Sequence, residues 1–407
     1  NAKEKNLEEK FRSVREAMAL IAEADPIALS REKYDRYMCS AEEAAARDIV
    51  FDRAKYASVL LTGATGFLGI NLLKRLLCET DAEIYTIIRG DSASPAERLL
   101  HKWQHQFGEP MPDECWRKLR ILEGDLIRPQ FGLSDADFHL LSEKTDCIIN
   151  TAANVRHYGH HSEFSEINAE LIRRLGAFAQ EGKPKALHHV STIGVAEGVV
   201  SETPFFLFTE DDSDVGQIVT NYYTETKLQA ERYVQEARQQ GVSANIYRVG
   251  NLIADSETGV FQENIDTNGF YKTLRAMLML GAVPDTNVRM MDFSYIDQIA
   301  ESMVRLVFPN DGGNQNYHLF NPHQLSTAAL SAILHEIGIA PQVMSADAFL
   351  DLLYTQYNSE ALGDYIREFI LHTRLFSVPD ETHFTLLCSR TCAVLSKLGF
   401  AWKKTDA

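Results

Sequence analysis

The sequence lacks the features that mark membrane, secreted and nucleic-acid-binding proteins. Although 45% of its 407 residues are hydrophobic, no stretch approaches the roughly 20 consecutive apolar residues of a membrane helix. The first residues, NAKEKNLEEK, are polar and carry no signal-peptide pattern. Positive charge is scarce, with 40 Lys and Arg against 57 Asp and Glu, whereas a nucleic-acid backbone requires a basic footprint. We therefore expect a soluble cytoplasmic protein that binds neither a membrane nor nucleic acid.

Cysteine and metal-ligand motifs are also sparse. Six cysteines are scattered along the chain, which is no disulfide framework at this length. Cys388 and Cys392 lie one helical turn apart, and RHYGHH at 156–161 groups three histidines. Neither has the ligand spacing of a zinc site, so we predict buried thiols, a polar loop at a substrate mouth and no metal. TEDDSD at 209–214 lacks the Gly and terminal Glu of a calcium loop and is predicted as a solvated loop or part of a lid.

Short apolar runs alternate with segments of helical length from residue 58 onward. This alternation is typical of a parallel sheet with helices on both faces. We predict an α/β, Rossmann-like, doubly wound parallel sheet, whose ligands bind at the carboxyl ends of the strands. The runs are 58–62, 84–88, 119–123, 146–151, 186–191, 244–249 and 316–320.

The same pattern predicts the division into domains. Residues 1–50 favour one or two amphipathic helices, which could be a linker from an upstream domain or a brace on the core. Residues 51–254 form the nucleotide-binding domain, to which 290–322 return. Residues 255–289 and 323–407 form a smaller, helix-rich substrate subdomain, with a strand or turn near 289–294.

A glycine-rich stretch, LLTGATGFLG, follows the first predicted strand and opens a helix. That context is the one a dinucleotide-binding loop needs, although the spacing is G-x-x-G-x-x-G. Gly63 permits the tight turn, Gly66 lets the backbone approach a pyrophosphate, and Gly69 lets helix and strand pack. The helix N-terminus offers N–H groups to the phosphates. The neighbouring candidates for cofactor contact are Thr65, Phe67 and Leu68.

The second strand indicates which nicotinamide cofactor is used. An NAD site usually has an acidic residue about 20 positions after the glycines, at the end of this strand. Here the strand ends IIRG and places Arg89 there. Because an arginine can pair with a 2′-phosphate, we predict NADPH. Arg98 is either a second phosphate clamp or a solvated helix charge.

Two later strand ends supply further candidates for the cofactor site. EGDL after the third strand places Asp125 and Leu126 near the adenine, and NTAANV after the fourth places Ala152 and Ala153 beside the cofactor. Small residues allow close approach at the second of these positions. The alternative for all four is ordinary packing at strand ends.

Tyr223 and Lys227 form a Y-x-x-x-K motif within YYTETKLQAERY. On a helix they share one face. The lysine is expected to lower the phenol pKa from its usual value of about 10 and to bind the nicotinamide ribose. A further hydroxyl should come from VSTIG at the end of the fifth strand, where Ser191 and Thr192 are both candidates and the position favours Thr192.

Taken in order, TGATGFLG, IIRG, GDL, NTAANV, VSTIG, YTETK and YRVGNL resemble the terminal thioester reductase (R) domains of non-ribosomal peptide and polyketide synthetases. These belong to the extended short-chain dehydrogenase/reductases and are related to carboxylic acid and fatty acyl-CoA reductases. The similarity spans about 58–325; beyond it only size and helical character agree.

The resemblance implies a function and a partner. An acyl or peptidyl thioester on the phosphopantetheine arm of an upstream carrier domain would be reduced by NADPH and released as an aldehyde, or reduced again to a primary alcohol. Thr192 and Tyr223 would stabilise the oxyanion, Tyr223 would protonate it, and Lys227 would hold the ribose. The resemblance also implies a monomeric domain within a larger synthetase.

Two other functions fit parts of the pattern. Sugar-nucleotide epimerases and dehydratases share the fold, the glycine loop and the Y-x-x-x-K motif, but Arg89 disfavours a typical NAD-dependent member. A non-catalytic NADP(H)-binding regulator could lose the tyrosine–lysine pair, which is intact here.

Overall fold

A seven-stranded parallel sheet forms the centre of the computed structural model, which describes residues 2–90, 93–155, 164–201, 203–219, 221–285, 291–310 and 313–405. Its strands lie in the order β3-β2-β1-β4-β5-β7-β11, which is a doubly wound dinucleotide-binding order with one added strand. The predicted fold class is confirmed. The strands of this sheet are β1 (Ser58–Thr62), β2 (Glu83–Ile88), β3 (Leu119–Glu123), β4 (Cys147–Asn150), β5 (Ala186–Thr192), β7 (Ala244–Val249) and β11 (Asn316–Leu319).

Three further pairs of strands are parallel and lie outside this sheet. They are β6 (Phe205–Phe208) with β13 (His383–Leu386), β8 (Leu252–Ile253) with β10 (Ser294–Tyr295), and β9 (Ala282–Asp285) with β12 (Gln342–Ser345). Strand β10 begins at the end of the predicted 289–294 segment, and residues 286–290 lie outside the described residues.

Helices surround the sheet and build the rest of the molecule. The α-helices are α1 (Ala2–Glu23), α2 (Pro26–Leu29), α3 (Arg31–Ala46), α4 (Phe67–Glu79), α5 (Pro95–Phe107), α6 (Asp113–Lys118), α7 (Asp135–Lys144), α8 (Leu171–Phe178), α9 (Tyr222–Gln239), α10 (Gly269–Leu280), α11 (Ile296–Val307), α12 (Thr327–Glu336), α13 (Ala346–Gln356), α14 (Gly363–Thr373) and α15 (Ser389–Lys397). A π-helical segment, Ser165–Glu170, precedes α8, and single 3₁₀ turns cover Pro129–Gly132, Ile193–Ala196, Ile265–Thr267 and Leu375–Asp380.

The central strand β1 is buried along its whole length because helices cover both faces of the sheet. Side chains alternate between the faces of a strand. Val59 and Leu61 accordingly pack in a first hydrophobic core with α4 and α11, and Leu60 packs in a second core with α8 and α9. This arrangement leaves the carboxyl ends of the strands available for a ligand.

A third hydrophobic core joins α10, α13 and α14 to the N-terminal helix α1. Phe11 and Val14 of α1 are buried in it, and the Phe11 ring contacts the Phe376 ring edge-on at 5.2 Å. Arg15 adds an ion pair with Asp351 at 2.6 Å. These contacts favour the brace over the linker for the N-terminal residues.

The C-terminal residues differ in placement from the predicted helical subdomain. Val394, Leu395 and Leu398 on and after α15 pack in the first core beside the sheet, although 323–407 were expected to share one subdomain. Helix α15 contacts α3 and α11. The apolar spacing of a helix shows that one face is buried but does not identify the partner.

The acidic segment 209–214 also differs from the expected solvated loop. Glu210 is buried, and its carboxylate accepts hydrogen bonds from the Thr391 amide and hydroxyl at 3.0 and 2.8 Å. Asp212 pairs with Lys33 at 2.8 Å. The segment therefore joins the N-terminal and C-terminal helices, and its position gives no support for a lid.

Candidate active site

The glycine loop between β1 and α4 is built by close backbone packing. Gly63 has a φ of +77°, and a Cβ on it would lie 2.6 Å from the Ala152 nitrogen. A Cβ on Gly69 would lie 2.0 Å from the Gly63 oxygen, so α4 can approach the loop only without a side chain there. Gly66 caps α4, and the N–H groups of Phe67, Leu68 and Gly69 precede the first helical hydrogen bond, which the Ile70 amide makes to Gly66. The loop therefore fits the phosphates of a dinucleotide.

One cavity of about 1610 Å³ runs from this loop past the end of β5 into the helical part of the molecule. Six of the thirteen predicted cofactor positions lie on its wall at the loop and after β4, and Lys227 is a seventh. The six are Thr65, Gly66, Phe67, Leu68, Gly69 and Ala153. Thr192 and Tyr223 line its middle section.

The other predicted cofactor residues lie away from the described part of the cavity wall. Gly63 forms the turn behind the loop, and Ala152 packs in the second core. Leu126 packs against that core, and Asp125 receives the Ile127 amide at 3.3 Å. These contacts are with other protein groups, and the cofactor role of these positions stays a prediction.

Arg89 and Arg98 meet at the end of β2. The Arg98 Nη1 donates to the Arg89 carbonyl oxygen at 2.6 Å, and the Arg89 side chain is exposed. Sequence reasoning missed Glu123 at the end of β3, whose carboxylate lies so near that a Cβ on Gly90 would come within 2.1 Å of it. Two cations and one carboxylate thus surround the position expected for the adenosine ribose.

Tyr223 and Thr192 both line the cavity, close enough for the Thr192 hydroxyl to influence the ionisation of the Tyr223 phenol. Burial raises the pKa of Tyr223 to about 12, and the hydrogen bond with Thr192 opposes that shift in part. The expected lowering of this pKa by the lysine is therefore wrong in direction. The phenol stays protonated at neutral pH, which is the form that can donate a proton.

Lys227 lies one turn along α9 from Tyr223 and is almost fully buried. Its Nζ donates to the Val190 carbonyl oxygen at 2.9 Å. Burial lowers the pKa of Lys227 to about 8, and the carboxylate of Glu231 opposes this change. The side chain is thus fixed against the end of β5, the strand that ends with Thr192.

Ser191, the other candidate hydroxyl, is engaged elsewhere. Its Oγ donates to Glu231 Oε1 at 2.6 Å. The same carboxylate pairs with Arg248 Nη2 at 2.7 Å, and both side chains are buried. Ser191 therefore belongs to a buried ion-pair network, whereas Thr192 contacts Tyr223.

Sequence reasoning missed several residues on the cavity wall. Gly250 and Asn251 follow β7, and a Cβ on Gly250 would lie 1.9 Å from Asp292 Oδ2. Asp292 is buried and accepts the Asn251 amide at 2.7 Å. The negative charge of Glu197 contributes to the raised pKa of Tyr223, and the Glu197 carboxylate forms an ion pair with Arg374 at 2.7 Å. The motif YRVGNL, with a glycine directly after a strand, was the one available signal.

A segment between β8 and α10 covers the start of the glycine-loop helix. The Phe261 ring contacts the Phe67 ring edge-on at 5.3 Å. The carbonyl oxygen of Phe261 lies 3.1 Å from His105 Nε2, and Glu263 pairs with Lys102 on α5. This part of the predicted substrate subdomain thus reaches the cofactor end of the cavity.

The metal candidates have different outcomes. RHYGHH at 156–161 lies outside the described residues. Cys388 is buried and its Sγ lies 3.9 Å from that of Cys392. Within the described ranges, no group of three or more His, Cys, Asp or Glu side chains could hold a metal ion.

Across those ranges, no helix is both long enough and apolar enough to span a bilayer.

The family model described as male sterility protein, an NAD-binding domain, matches residues 61–303. This chain belongs to that family. The nicotinamide cofactor expected from the glycine loop is therefore supported at the level of the family.

Two curated relatives are long enzymes. A chain of the linear gramicidin synthase of Brevibacillus parabrevis is 30% identical over 300 residues, which are 74% of this chain and 6% of that protein. Carboxylic acid reductase of Mycobacterium tuberculosis is 27% identical over 318 residues, which are 71% of this chain and 26% of that protein. The chain thus spans a small part of the length of these relatives.

Solved structures show the same architecture. The reductase domain of the aureusimine biosynthetic cluster has a TM-score of 0.73 and 25% identity, covering 94% of this chain and 95% of that one. An archaeal thiolation–reductase di-domain from a non-ribosomal peptide synthetase has a TM-score of 0.72 and 27% identity, covering 90% of each chain. The resemblance to synthetase reductase domains is confirmed. A UDP-glucuronic acid 4-epimerase from Bacillus cereus shares the fold at 18% identity.

Proposed function

We propose that this chain is an NADPH-dependent thioester reductase that releases a carrier-bound acyl or peptidyl chain as an aldehyde. The observation that carries the proposal is the Thr192–Tyr223 hydroxyl pair, which lies on the wall of one cavity between the glycine loop and the helical subdomain. Two hydroxyls at that point can bind a carbonyl oxygen as it gains negative charge.

The side chains support a specific division of roles. The bound nicotinamide would supply hydride to the thioester carbonyl carbon. Thr192 and Tyr223 would donate hydrogen bonds to the carbonyl oxygen, and the protonated phenol would give it a proton. Collapse of the resulting thiohemiacetal breaks the C–S bond and leaves an aldehyde and the carrier thiol. Lys227, fixed against the Val190 carbonyl, would hold the ribose and return a proton to Tyr223.

Preference for NADPH rests on the two arginines at the end of β2. Arg98 donates to the Arg89 backbone and so brings a second guanidinium to the same edge. Both can pair with a 2′-phosphate. Glu123 beside Gly90 is the competing group, because a carboxylate would instead bind a free ribose hydroxyl.

The carrier partner is inferred from the relatives. The archaeal neighbour is a thiolation–reductase di-domain, and we place this chain likewise behind an upstream carrier domain in a larger synthetase, as a monomeric domain. Residues 255–289 and 323–382 would form the substrate part. Strand β13 pairs with β6 outside the central sheet, and Val394, Leu395 and Leu398 would join the nucleotide-binding part through the first core. The six free cysteines agree with the reducing cytoplasm.

The test follows NADPH absorbance while acyl-CoA and acyl-pantetheine thioesters are added. Tyr223→Phe should slow thioester-dependent oxidation at least about 100-fold, since it removes a general acid. Tyr222→Phe is the matched control, because that neighbouring ring is 52% exposed, and it should retain the rate. NADPH fluorescence titration should give equal binding in all three proteins.

Two outcomes would contradict the proposal. If NADPH binds tightly but no thioester causes its oxidation, the non-catalytic NADP(H)-binding regulator is favoured. Turnover of a nucleotide sugar in place of thioesters would favour the epimerase.

A further inference from the structure

The helical end of the cavity has an apolar wall. The cavity continues beyond Tyr223 between α10, α13 and α14, where the lining combines members of the third hydrophobic core with the polar Lys272, Thr273, His372 and Thr373. Six of them are at most 9% exposed, namely Met277, Met291, Phe349, Leu350, Phe369 and Ile370. A ligand that enters this end exchanges water for hydrocarbon contact along its length.

Helix α10 shows which of its faces is turned to the ligand. Phe270, Thr273 and Met277 line the cavity at spacings of three and four residues, which is one face of a helix. Leu278 on the same helix is not among the lining residues and is 39% exposed. The wall is therefore continuous along about two turns of the helix.

The charged side chains on the described wall already have partners. Lys272 pairs with Glu368 at 3.4 Å, and Arg374 pairs with Glu197 and Glu381. Lys102 pairs with Glu263, and Lys227 donates to the Val190 carbonyl. A carboxylate on the ligand would have to break one of these Lys or Arg contacts, and burying it unpaired would be costly.

The size of the cavity allows two ligands. Its volume of about 1610 Å³ exceeds the roughly 300–1,000 Å³ of a pocket for one small ligand. A dinucleotide at the glycine loop would leave the helical end for a second molecule. Thr192 and Tyr223 lie between the two ends, where a carbonyl joining a carrier arm to an acyl chain would be placed.

We infer that the acyl group presented to Tyr223 is an extended, uncharged aliphatic chain, which binds along the wall formed by α10, α13 and α14. This inference rests on the proposed thioester reductase function and specifies its substrate class. The chain enters with its carbonyl at the hydroxyl pair and its hydrocarbon part against Met277, Phe349 and Phe369.

The first test compares acyl-pantetheine thioesters from butanoyl to dodecanoyl with the unmodified protein. Each methylene buried against the wall should raise kcat/KM about fourfold until the cavity is filled. The half-thioester of decanedioic acid, which matches decanoyl in length but carries a carboxylate, should react at least about 100-fold more slowly. Equal rates along the series, or a preference for the dioic thioester, would overturn the inference.

The second test places bulk on each face of α10. Thr273→Trp fills the cavity and should lower kcat/KM for decanoyl-pantetheine at least about tenfold more than for butanoyl-pantetheine. Leu278→Trp puts the same ring at an exposed position and should change kcat/KM for neither substrate. Unchanged NADPH binding shows that both variants are folded; equal losses of decanoyl and butanoyl turnover in Thr273→Trp would contradict the assigned wall.

A binding measurement separates this inference from the proposed function. The amide analogue of decanoyl-pantetheine cannot be cleaved, so calorimetry reports its affinity whether or not reduction occurs. Absence of NADPH oxidation with every thioester refutes the reductase. Weaker binding of the decanoyl amide than of its dioic counterpart refutes the apolar chain.

Discussion

Tyr223 and Lys227 show how burial governs the chemistry of single residues here. Burial raises the pKa of the phenol to about 12 and lowers that of the ammonium to about 8, and each change favours the neutral side chain. A phenol that remains protonated is suited to donate, and a lysine that loses its proton near pH 8 is suited to pass one on. With these pKa values, return of a proton from Lys227 to a Tyr223 phenolate is favourable by about 5 kcal/mol.

Arg89 is expected to determine cofactor preference. Arg89→Ala should lower kcat/KM for NADPH at least about tenfold, because one ion pair with the 2′-phosphate is lost, and should leave NADH unchanged. Steady-state kinetics with both cofactors measure the effect. Arg117→Ala, an exposed arginine on α6, is the control. An unmodified protein that prefers NADH would instead assign the ribose to Glu123, and Glu123→Gln would then weaken NADH binding.

Asp292 should make stability depend on pH. Burial raises its pKa to about 6 from the usual 3.8, so the folded state holds the proton more tightly than the unfolded chain. The stabilisation is complete below pH 3.8 and is lost as the pH rises through about 6, a difference of about 3 kcal/mol.

The variant Asp292→Asn removes this dependence. The free energy of unfolding of the unmodified protein relative to Asp292→Asn should fall by about 3 kcal/mol between pH 4 and pH 7, as urea denaturation at each pH would measure. Parallel pH profiles for the two proteins would show that Asp292 keeps an ordinary pKa in the fold.

Among the elements, α9 is tied to three strands by one buried ion pair. Glu231 on α9 pairs with Arg248 on β7 and accepts Ser191 of β5. Arg248 Nη1 lies 3.1 Å from His318 Nε2 on β11. Burial and then the arginine lower the pKa of His318 to about 3, so its neutral ring accepts from Arg248 and donates from Nδ1 to the Leu387 carbonyl. The helix that carries Tyr223 is thereby held in register with the sheet.

Breaking the Glu231–Arg248 ion pair should destabilise the folded protein. Glu231→Gln leaves the buried Arg248 without a counter-charge and should lower the free energy of unfolding by about 3–5 kcal/mol, measured by urea denaturation. The matched control is Asp214→Asn, which breaks the pair with Arg232 on the same helix, where the two side chains are 40% and 47% exposed; its cost should stay below about 1 kcal/mol. Equal costs for the two variants would refute the structural role assigned to the buried pair.

The elements that could be predicted from the sequence are those with a local signal. The run 58–62 coincides with β1, and the run 84–88 lies within β2, Glu83–Ile88. Strand pairs β6–β13 and β9–β12 had no such signal, because their partners lie far apart in the chain. The packing of α15 in the first hydrophobic core was not predicted, for the same reason.

The candidate site likewise contains residues that motifs predicted and residues that no motif marks. Sequence motifs identified the glycine loop, Thr192, Tyr223 and Lys227, and all of these line one cavity. The direction of the Tyr223 pKa could not be predicted, because it depends on the burial that tertiary packing creates. Asp292 and Arg374 reach the wall from distant segments and carry no motif.

On the scale of the whole molecule, the N-terminal helix completes the small subdomain. Phe11 lies in the third core while Met18, two turns along α1, lines the cavity. The substrate end is therefore built from both ends of the chain.

Phe11→Ala tests whether α1 is a brace. Removing a buried phenyl ring should lower the free energy of unfolding by about 3–5 kcal/mol, and the loosened helix should raise KM for a long-chain thioester. Leu20→Ala, on the same helix but 59% exposed, should change neither quantity. Chemical denaturation and steady-state kinetics provide the two readouts, and a Phe11→Ala protein as stable as the control would identify α1 as a linker.

The pairing of β6 with β13 has a consequence for how the chain is made. His383–Leu386 must lie beside Phe205–Phe208, and Thr391 must reach Glu210, so these contacts form only when residues much later in the chain are present. Such distant pairing slows folding. On the ribosome, the sheet and glycine loop can assemble early, but Glu210 in the acidic segment acquires its partner only after residue 391 has emerged. A nascent chain stalled before that point would expose the unpaired edge of β6 and would be a target for chaperones.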